Sequence, residues 1–422
     1  MRSWRTGKYR RGWAGRLGKL SPAERAAISS DGRRVLIHCV SVGELASSAA
    51  LIDDILQLAD DIQVVVTVTT DTGMARALKV YPPGTSRVVV LRYPLDFSFS
   101  VNRFLDAVRP SVAGLIELEI WPNFMAACQR RQIPVDIING RMTERSFRRY
   151  AVVKPIMRRM LRHVRHMGVQ SADIGKRFLA LGADPSRMTV LPTIKYDTAD
   201  FSPQIAGTAT MAAALGIRPE HWLFTAGSTG PGEEEALLDA YAALVPHFAN
   251  LRLCMAPRKP EVYAQVEDAI RRRGFSPLRR TARPDGGPHA DLSADQIVML
   301  DTFGELKKAY ALSAAIFSGR SLVPLGGSDM IEAVALTKPV CFGPHTWNFA
   351  EVTALLLEVG GAEQICDAAG LQAILRNWLL DTAGAKAMAE RGRLALMSKR
   401  GSSLQYAQRL LGTIPHGSPV GG

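Results

Sequence analysis

The chain has 422 residues, of which 47% are hydrophobic and 22% charged, proportions typical of a folded protein of two or three domains and not of a disordered one. No run of about 18 uncharged apolar residues occurs, which excludes a membrane-spanning helix, and the basic N-terminus lacks the apolar core of a secretory signal. The formal net charge of +13 indicates an anionic partner, which is nucleic acid, anionic lipid or a phosphorylated substrate.

The first part of the chain alternates apolar, strand-like runs with helical patterns. Strands are predicted at 35–40, 63–69, 87–93, 112–118 and 134–140, and one helix is predicted over 45–59. This alternation predicts right-handed βαβ units and a parallel sheet.

A strongly basic segment follows at 141–166. Its nine arginines and lysines are interleaved with apolar residues at mostly helical spacing, with Pro155 as an interruption. The pattern predicts a cationic amphipathic stretch that lies on an anionic membrane surface or binds phosphates, although a solvated helix face is the simpler alternative. Trp4, Tyr9 and Trp13 repeat the basic and aromatic pattern near the N-terminus. No zinc-finger or RNP pattern is present, so nucleic acid is the least favoured partner.

A second series of strands is predicted at 222–227, 252–257, 297–300, 314–319 and 339–343, after a polar stretch at 197–210. We therefore predict an N-terminal domain over 1–196, a linker over 197–212, a C-terminal domain over 213–412 and a flexible tail over 413–422. Both domains are expected to be doubly wound α/β domains, with a cleft between them. Ligands of such sheets bind at the carboxyl ends of the strands.

The stretch 319–351 is the most informative part of the chain. Gly326-Gly327 follows a predicted strand and precedes a predicted helix that Ser328 or Asp329 caps and that carries Glu332. We expect the glycines to let the backbone approach a ligand, and the helix N-terminus to suit a phosphate or a ribose. An ordinary turn with a capping box over 329–332 is the alternative. A second loop at 344–348 directly follows the next strand, and the two loops together favour a sugar-nucleotide site.

The histidines and cysteines show no pattern typical of a metal site or a disulfide, so we predict neither. The cysteines are odd in number and lack a CxxC pair, so we expect mostly buried, free thiols in a reducing compartment. The histidines are scattered, and His163 and His166, expected on one helix face, lack a third ligand. The cysteines are Cys39, Cys128, Cys254, Cys341 and Cys366.

A series of motifs, in the same order, resembles the 3-deoxy-D-manno-octulosonic acid (Kdo) transferases from about residue 9 to about residue 400. The motifs are HCVSVGE, TVTTDTG, ELEIWPN, NGRMTERS, IKYD, AGST, PRKPE, DTFGEL, GRSLVPLGG and GPHTWNFAE. The resemblance implies a GT-B fold of two facing Rossmann-like domains, with the acceptor on the first and CMP-Kdo on the second. It also implies inverting transfer of Kdo to the lipid A precursor, lipid IVA, without metal or cofactor. The apolar N-terminal anchor common in the family is missing, so we expect peripheral attachment to the cytoplasmic face of the inner membrane through basic and aromatic residues.

The same resemblance implies roles for single residues. Glu44 matches the general base, and its place in the first turn of a helix predicts an ionised carboxylate, because the helix dipole stabilises the anion. Its alternative role is a favourable helix-start charge alone. Glu119 matches a second carboxylate near the acceptor, with a strand-end carboxylate beside a packed tryptophan as the alternative. Arg258 suits a nucleotide phosphate and Glu332 the ribose hydroxyls. The other implied acceptor or substrate residues are Ser41, Gly43, Trp121, Asn123, Lys195, Ser228 and Thr229. The implied CMP contacts are Pro257, Arg258, Phe303, Gly304, Glu305, Asp329, Met330, Ile331 and Glu332.

Four loops depart from the family pattern. GGHNPLEP reads GGSDMIEA at 326–333, GNLKFD reads PTIKYD at 192–197, GSTHEGE reads GSTGPGE at 227–233, and PRHPE reads PRKPE at 257–261. An acid at 329 would repel a nucleotide phosphate unless it faces a donor. The alternatives are therefore a transferase of this fold with another nucleotide sugar or acceptor, and a non-catalytic protein of this fold that binds a membrane surface or nucleic acid.

Overall fold

A computed structural model of the chain describes residues 12–28, 32–202, 204–286 and 289–414. It divides into two compact units. Unit 1 contains the described residues up to Thr198 together with those from Lys399 onward, and unit 2 spans Ala199–Ser398.

Unit 1 is built on a seven-stranded parallel sheet with the strand order β3-β2-β1-β4-β5-β6-β7. Alternate residues of a strand point to opposite faces, so Leu36 joins one apolar core while Val35 and Ile37 join the other. Burial on both faces accounts for the nearly continuous apolar runs of the central strands. The strands are β1 (Arg33–Cys39), β2 (Ile62–Val68), β3 (Val88–Arg92), β4 (Val112–Ile116), β5 (Val135–Gly140), β6 (Val164–Val169) and β7 (Met188–Val190). The helices are Trp13–Arg16, Pro22–Ala27, Val42–Ser47, Ala49–Leu58, Asp71–Val80, Ser98–Val108, Pro122–Arg130, Glu144–Val152, Lys154–Leu161, Ala172–Ala180, Lys195–Thr198 and Ser402–Leu411, with a 3-10 turn at Pro185–Arg187.

Unit 2 repeats this plan, with the strand order β10-β11-β9-β8-β12-β13-β14 and parallel pairing throughout. Its strands are β8 (Trp222–Thr229), β9 (Leu251–Pro257), β10 (Ser276–Arg279), β11 (Gln296–Met299), β12 (Ala315–Ser318), β13 (Val340–Phe342) and β14 (Glu363–Gln364). Its helices are Thr208–Leu215, Glu234–Leu244, Tyr263–Arg272, Leu306–Leu312, Ile331–Ala335, Ala350–Glu358, Ala368–Leu380 and Thr382–Ser398, with 3-10 turns at Pro260–Val262 and Arg280–Ala282. The predicted architecture of two doubly wound α/β units is confirmed.

The basic segment 141–166 is only partly helical. It forms the helices Glu144–Val152 and Lys154–Leu161, with Pro155 in the first turn of the second. The segment then enters β6, where His166 is buried. The expectation that His163 and His166 share a helix face is therefore wrong, because the helix ends before either residue. Trp4 and Tyr9 lie outside the described residues, and Trp13 is 47% exposed.

The C-terminal end of the chain returns to unit 1. Helix Ser402–Leu411 packs against helix Ala49–Leu58, and the buried Tyr406 hydroxyl accepts a hydrogen bond from Asn139 N at 3.1 Å. Gly168 makes room for this tyrosine, because a Cβ there would collide with its ring. Asp197 accepts hydrogen bonds from Gly401 N at 2.6 Å and Ser403 N at 2.8 Å. This corrects the predicted boundary, which placed everything up to residue 412 in the second domain.

Among the described residues, the structure contains no helix with the length and hydropathy needed to cross a membrane. All five cysteines are free, and four are buried, whereas Cys366 is exposed.

Candidate functional site

The first candidate site lies where β1 and β4 end in unit 1. The chain winds from β1 to one side of the sheet through β2 and β3, and β4 begins the other side, so these two strands flank the topological switch point at which α/β sheets bind ligands. Helix Val42–Ser47 begins after β1, and the loop carrying Glu117 and Glu119 follows β4. The structure therefore brings Glu44 and Glu119, distant in sequence, to one edge of the sheet.

Glu44 is held in place by its own helix terminus. Its backbone N–H donates to the Ser41 hydroxyl at 3.3 Å, and its carboxylate accepts bonds from Val40 N at 2.7 Å and from Ser41 Oγ at 3.0 Å. A Cβ on Gly43 would meet only Ser41 Oγ, at 3.8 Å, so there is open space beside Gly43. The predicted helix over 45–59 is broken at Ser48, which gives Glu44 a short helix of its own.

Burial raises the pKa of Glu44 to about 7, although the hydrogen bonds from Val40 and Ser41 lower it. The negative charges of Glu117 and Glu119 raise the pKa further. Glu44 can therefore be ionised at neutral pH, as predicted, but desolvation outweighs the helix dipole and brings its pKa close to that pH. A carboxylate with a pKa near neutrality is well suited to accept a proton.

Glu119 and Trp121 form a second part of this site. Glu119 is largely buried, which raises the pKa of its carboxylate, and Trp121 Nε1 donates to its Oε2 at 3.1 Å. Trp121 itself is 45% exposed. Asn123 has a structural role, because its amide donates to Asp96 O at 2.6 Å and Ser98 donates to its Oδ1 at 2.9 Å.

Lys195 begins the short helix Lys195–Thr198, which contacts helix Val42–Ser47. The preceding residue, Ile194, donates its N–H to Asn139 Oδ1 at 3.3 Å. The IKYD motif is thus placed next to the helix that carries Glu44.

The second candidate site lies at the carboxyl edge of the sheet in unit 2, where β8 and β12 flank the switch point. Tyr310 is fully buried there, and its hydroxyl occupies the place that a Cβ on Gly227 would take. Burial raises the pKa of Tyr310 well above its usual value; the charges of Glu332 and Asp329 raise it further, and that of Arg258 lowers it. Three predicted donor-site residues, Arg258, Asp329 and Glu332, are therefore close enough for their charges to act on one tyrosine.

A buried carboxylate fixes the loop after β12. Glu233 is fully buried and accepts hydrogen bonds from Gly230 N at 2.8 Å, Arg320 N at 2.5 Å, Ser321 N at 2.7 Å and Leu322 N at 2.8 Å. Its neighbour Glu234 accepts from Thr229 Oγ1 at 3.1 Å. Ser228, also buried, has a φ of 56°, so the backbone near the carboxyl end of β8 is strained where its register with β9 shifts.

The glycine pair lies where two loops of the protein meet, and its close approach to a ligand stays a prediction. Gly326 and Gly327 both have positive φ, and a Cβ on Gly326 would collide with Trp347 and Asn348. Asn348 N donates to Gly326 O at 3.1 Å. The glycines therefore allow two loops of the protein to pack together.

The helix that follows begins at Ile331, with Met330 directly before it. Asp329 Oδ1 accepts from Ile331 N at 3.1 Å, so Asp329 supplies the predicted side-chain bond to the start of this helix. The side chains of Met330 and Ile331 are buried, whereas Glu332 is exposed.

The other predicted donor residues differ in exposure. Pro257 ends β9 with a buried ring, and Arg258 after it is exposed. Phe303 is 79% exposed, next to Gly304 with a φ of 85°. The Glu305 carboxylate accepts from Thr302 Oγ1 at 2.6 Å and Lys308 Nζ at 3.1 Å, and these bonds lower its pKa.

Within the described residues, no three histidine, cysteine or acidic side chains form a group that could hold a metal ion. The sequence did not single out Glu117, Glu233 or Tyr310. Glu117 was visible as a strand-end acid in ELEIWPN and Glu233 as the last residue of GSTGPGE, whereas nothing local in the sequence marks Tyr310.

Comparison with known proteins gives consistent results for sequence and fold. Residues 11–198 match the family model described as 3-deoxy-D-manno-octulosonic-acid transferase (kdotransferase). A protein of that name from Haemophilus influenzae is 29% identical over 89% of this chain and 85% of its own. One from Bordetella pertussis is 29% identical over 90% of this chain and 86% of its own.

Among solved structures, UDP-GlcNAc 2-epimerase from Neisseria meningitidis matches with a TM-score of 0.62 and 14% identity, covering 90% of this chain and 100% of that one. A glycosyltransferase from Rickettsia africae gives a TM-score of 0.60 and 12% identity, covering 90% and 99%. At such identities the similarity shows the fold, which is the two-domain α/β fold of GT-B transferases and epimerases.

Proposed function

We propose that this chain, which is similar in sequence to Kdo transferases, transfers Kdo from CMP-Kdo to the lipid A precursor, lipid IVA, in lipopolysaccharide biosynthesis. The observation that carries this proposal is the Glu44 carboxylate, held at the switch point of unit 1 with a pKa of about 7. Glu44 acts as the general base, and Glu119 lies near the acceptor.

The reaction is a single displacement that inverts the anomeric carbon. The oxygen of an acceptor sugar hydroxyl forms a bond to the anomeric carbon of Kdo, while the bond from that carbon to the CMP phosphate oxygen breaks. The electron pair leaves with CMP, and the hydroxyl proton passes to Glu44. Ser41 and the Val40 N–H orient the carboxylate for this transfer, because a base must lie within hydrogen-bond reach of its proton. No metal ion takes part in the proposed reaction.

Unit 2 holds the donor at the edge defined by Tyr310. Arg258 stabilises the charge that develops on the departing phosphate through charge-assisted hydrogen bonds. The exposed Glu332 accepts hydrogen bonds from the ribose hydroxyls. Asp329 directs one oxygen at Ile331 N, and this gives the acid a donor close to the nucleotide.

The test is transfer from CMP-Kdo, generated in situ, to tetraacylated lipid A precursor, read by mass spectrometry. The wild type is expected to add Kdo, and Glu44→Gln to lose about 100-fold or more in rate, the usual contribution of a general base. Asp173→Asn is the matched control, since Asp173 is also a first-turn carboxylate but is solvent-exposed and paired with Lys176.

Each result has a defined meaning. If Glu44→Gln transferred Kdo at the wild-type rate, Glu44 would not be the general base, although the proposed transfer activity would stand. If the folded protein bound CMP but transferred no Kdo, the proposed acceptor or the proposed sugar would be wrong. If it did not bind CMP, the proposed donor would be wrong. The protein is placed peripherally at the cytoplasmic face of the inner membrane as part of the same proposal.

A further inference from the structure

An arginine occupies a strained backbone position at the carboxyl edge of the sheet in unit 2. Arg320 is the second residue after β12 and has a φ of 61°, in a region that glycine enters without steric cost but other residues rarely adopt. Its N–H donates to Glu233 Oε2 at 2.5 Å, and its carbonyl accepts from Gly327 N at 2.7 Å. Residues kept in such conformations cluster at functional sites, so an arginine at a position that suits glycine points to a use for its side chain.

The Arg320 side chain lies over Gly230. The N–H groups of both residues donate to the same oxygen, Glu233 Oε2, which holds the two residues together. A Cβ on Gly230 would lie 3.3 Å from Arg320 Cγ and 2.5 Å from Leu325 Cδ1. Gly230 stands where the family pattern GSTHEGE has a histidine, in one of the loops that depart from that pattern. The missing side chain therefore leaves room for that of Arg320.

The guanidinium of Arg320 retains most of its hydrogen-bonding capacity. The residue is half-buried, and its Nη2 donates to Leu325 O at 3.1 Å. Among the described residues no acidic side chain forms an ion pair with it, and the nearby Glu233 carboxylate is occupied by four backbone N–H groups. A guanidinium has several N–H donors in one plane, so most of them remain for a ligand.

Arg258 and Arg320 lie on the two sides of Thr229. Strand β8, which carries Thr229, lies between β9 and β12. Arg258 N donates to Thr229 O at 3.1 Å, and a Cβ on Gly319, directly before Arg320, would lie 2.7 Å from Thr229 Cα. Neighbouring strands are about 4.8 Å apart, so the two arginines start about 10 Å from each other. Their long side chains can therefore reach one ligand.

The proposed donor carries two acidic groups on one carbon. The anomeric carbon of Kdo bears both the phosphate oxygen of CMP and the carboxylate of the sugar acid, and Arg258 is assigned to the phosphate. We infer that the Arg320 guanidinium binds the sugar carboxylate through the paired, charge-assisted hydrogen bonds that its planar fork can make. This inference rests on the proposed function and deepens it, because it assigns a residue that distinguishes a sugar acid from a neutral sugar.

Equilibrium titration of the full-length protein with CMP-Kdo and with CMP, in the absence of acceptor, tests this inference. Arg320→Gly should bind CMP-Kdo about 10- to 100-fold more weakly than the wild type, because hydrogen bonds to a charged group are lost. Its affinity for CMP, which has no sugar carboxylate, should be unchanged. Glycine also suits the positive φ, so the unfolding temperature should not fall.

Arg320→Lys is the conservative variant. It keeps the charge but loses the planar fork, so its affinity for CMP-Kdo should lie between those of the wild type and Arg320→Gly. The matched control is Arg376→Gln, which removes the charge of an exposed arginine on helix Ala368–Leu380. This control should bind both ligands like the wild type.

Any of three results would overturn the inference. Equal losses of affinity for CMP-Kdo and CMP in Arg320→Gly would assign Arg320 to the nucleotide or to support of the loop. Wild-type affinity of Arg320→Gly for CMP-Kdo would show that the side chain does not bind the sugar. An equal loss in Arg376→Gln would show that net charge is responsible.

The titration also separates this inference from the rest of the proposed function. If the wild type bound both ligands but transferred no Kdo to lipid IVA, the proposed acceptor would be wrong, and the comparison of CMP-Kdo with CMP would still decide the role of Arg320. If the wild type bound neither ligand, the proposed donor would be wrong and this inference with it.

Discussion

The Glu44 carboxylate is under opposing influences. Its position in the first turn of a helix favours the anion by about 0.3–1 kcal/mol. Burial and the neighbouring acids raise its pKa from 4.5 to about 7, which corresponds to about 3 kcal/mol in the opposite direction. Burial therefore prevails, and it also makes the group a stronger base than an ordinary glutamate.

The rate of transfer should follow the ionisation of Glu44. A general base must be unprotonated, so kcat/KM should rise as the pH increases through about 7 and level off above it. Glu117→Gln removes one neighbouring negative charge that raises this pKa, and should move the rise to lower pH. The measurement is the pH profile of kcat/KM for the two proteins.

A slower transfer by Glu117→Gln with an unchanged pH profile would contradict this effect of Glu117 on the pKa of Glu44. If Glu117→Gln lowered activity equally at every pH, Glu117 would act on the structure of the site and not on the pKa of Glu44. Asp173→Asn should leave the midpoint unchanged, because that carboxylate is fully exposed.

At the residue scale, the sequence predicted where the candidate residues lie better than it predicted the protonation of Glu44. The places of Glu44, Glu119, Arg258 and Glu332 at strand ends follow from strand prediction and the rule for parallel sheets. The protonation of Glu44 does not, because it depends on burial by distant parts of the chain. The local sequence motif also did not reveal that Gly326 lies against Trp347 and Asn348.

At the scale of elements, Glu233 lies directly before helix Glu234–Leu244 and its carboxylate binds the turn that follows β12. Its carboxylate takes four backbone N–H groups, three of them from residues 320–322. Buried N–H groups without partners are costly, so this one side chain supports the backbone that leads from β12 toward Asp329 and Glu332.

Glu233→Gln should destabilise the protein and weaken CMP binding. The glutamine amide turns a donor toward N–H groups that need an acceptor, which should cost about 1–3 kcal/mol. Chemical denaturation and CMP titration are the measurements. Glu235→Gln is the control, since that neighbouring side chain is half exposed and pairs with Arg272 and Arg273. If both variants lost the same stability and the same affinity for CMP, Glu233 would have no special role in holding this turn.

All ten predicted strands are present, but four others were missed. The omitted strands are β6, which carries Arg165 and His166, β7, with three residues, β10, which contains Pro277, and β14, with two residues. Their patterns are weak because each is short or polar. β6 tolerates its charge because Arg165 pairs with the buried Asp136, a contact between strands that no local pattern reveals.

At the scale of the whole molecule, the chain order and the units do not coincide. Residues from Lys399 onward belong to unit 1 although unit 2 precedes them. Local propensity predicts helix Ser402–Leu411 but not its packing partner. The partner is set by Tyr406, Ala407 and Leu410, which fill the core beneath helix Ala49–Leu58.

The stability of unit 1 should therefore depend on a helix at the far end of the chain. Tyr406→Ala removes a buried ring and the hydroxyl that pairs with Asn139 N, and should cost about 3–5 kcal/mol, as for other large-to-small core changes. Leu404→Ala lies on the same helix but at a position that is 41% exposed, and should cost less than about 1 kcal/mol. Amide hydrogen exchange should show faster opening in β1 and β5 of the Tyr406 variant, with β8 and β9 unchanged. Faster exchange in β8 and β9 instead would assign the helix to unit 2, because protection is lost in the cooperative unit whose packing is removed.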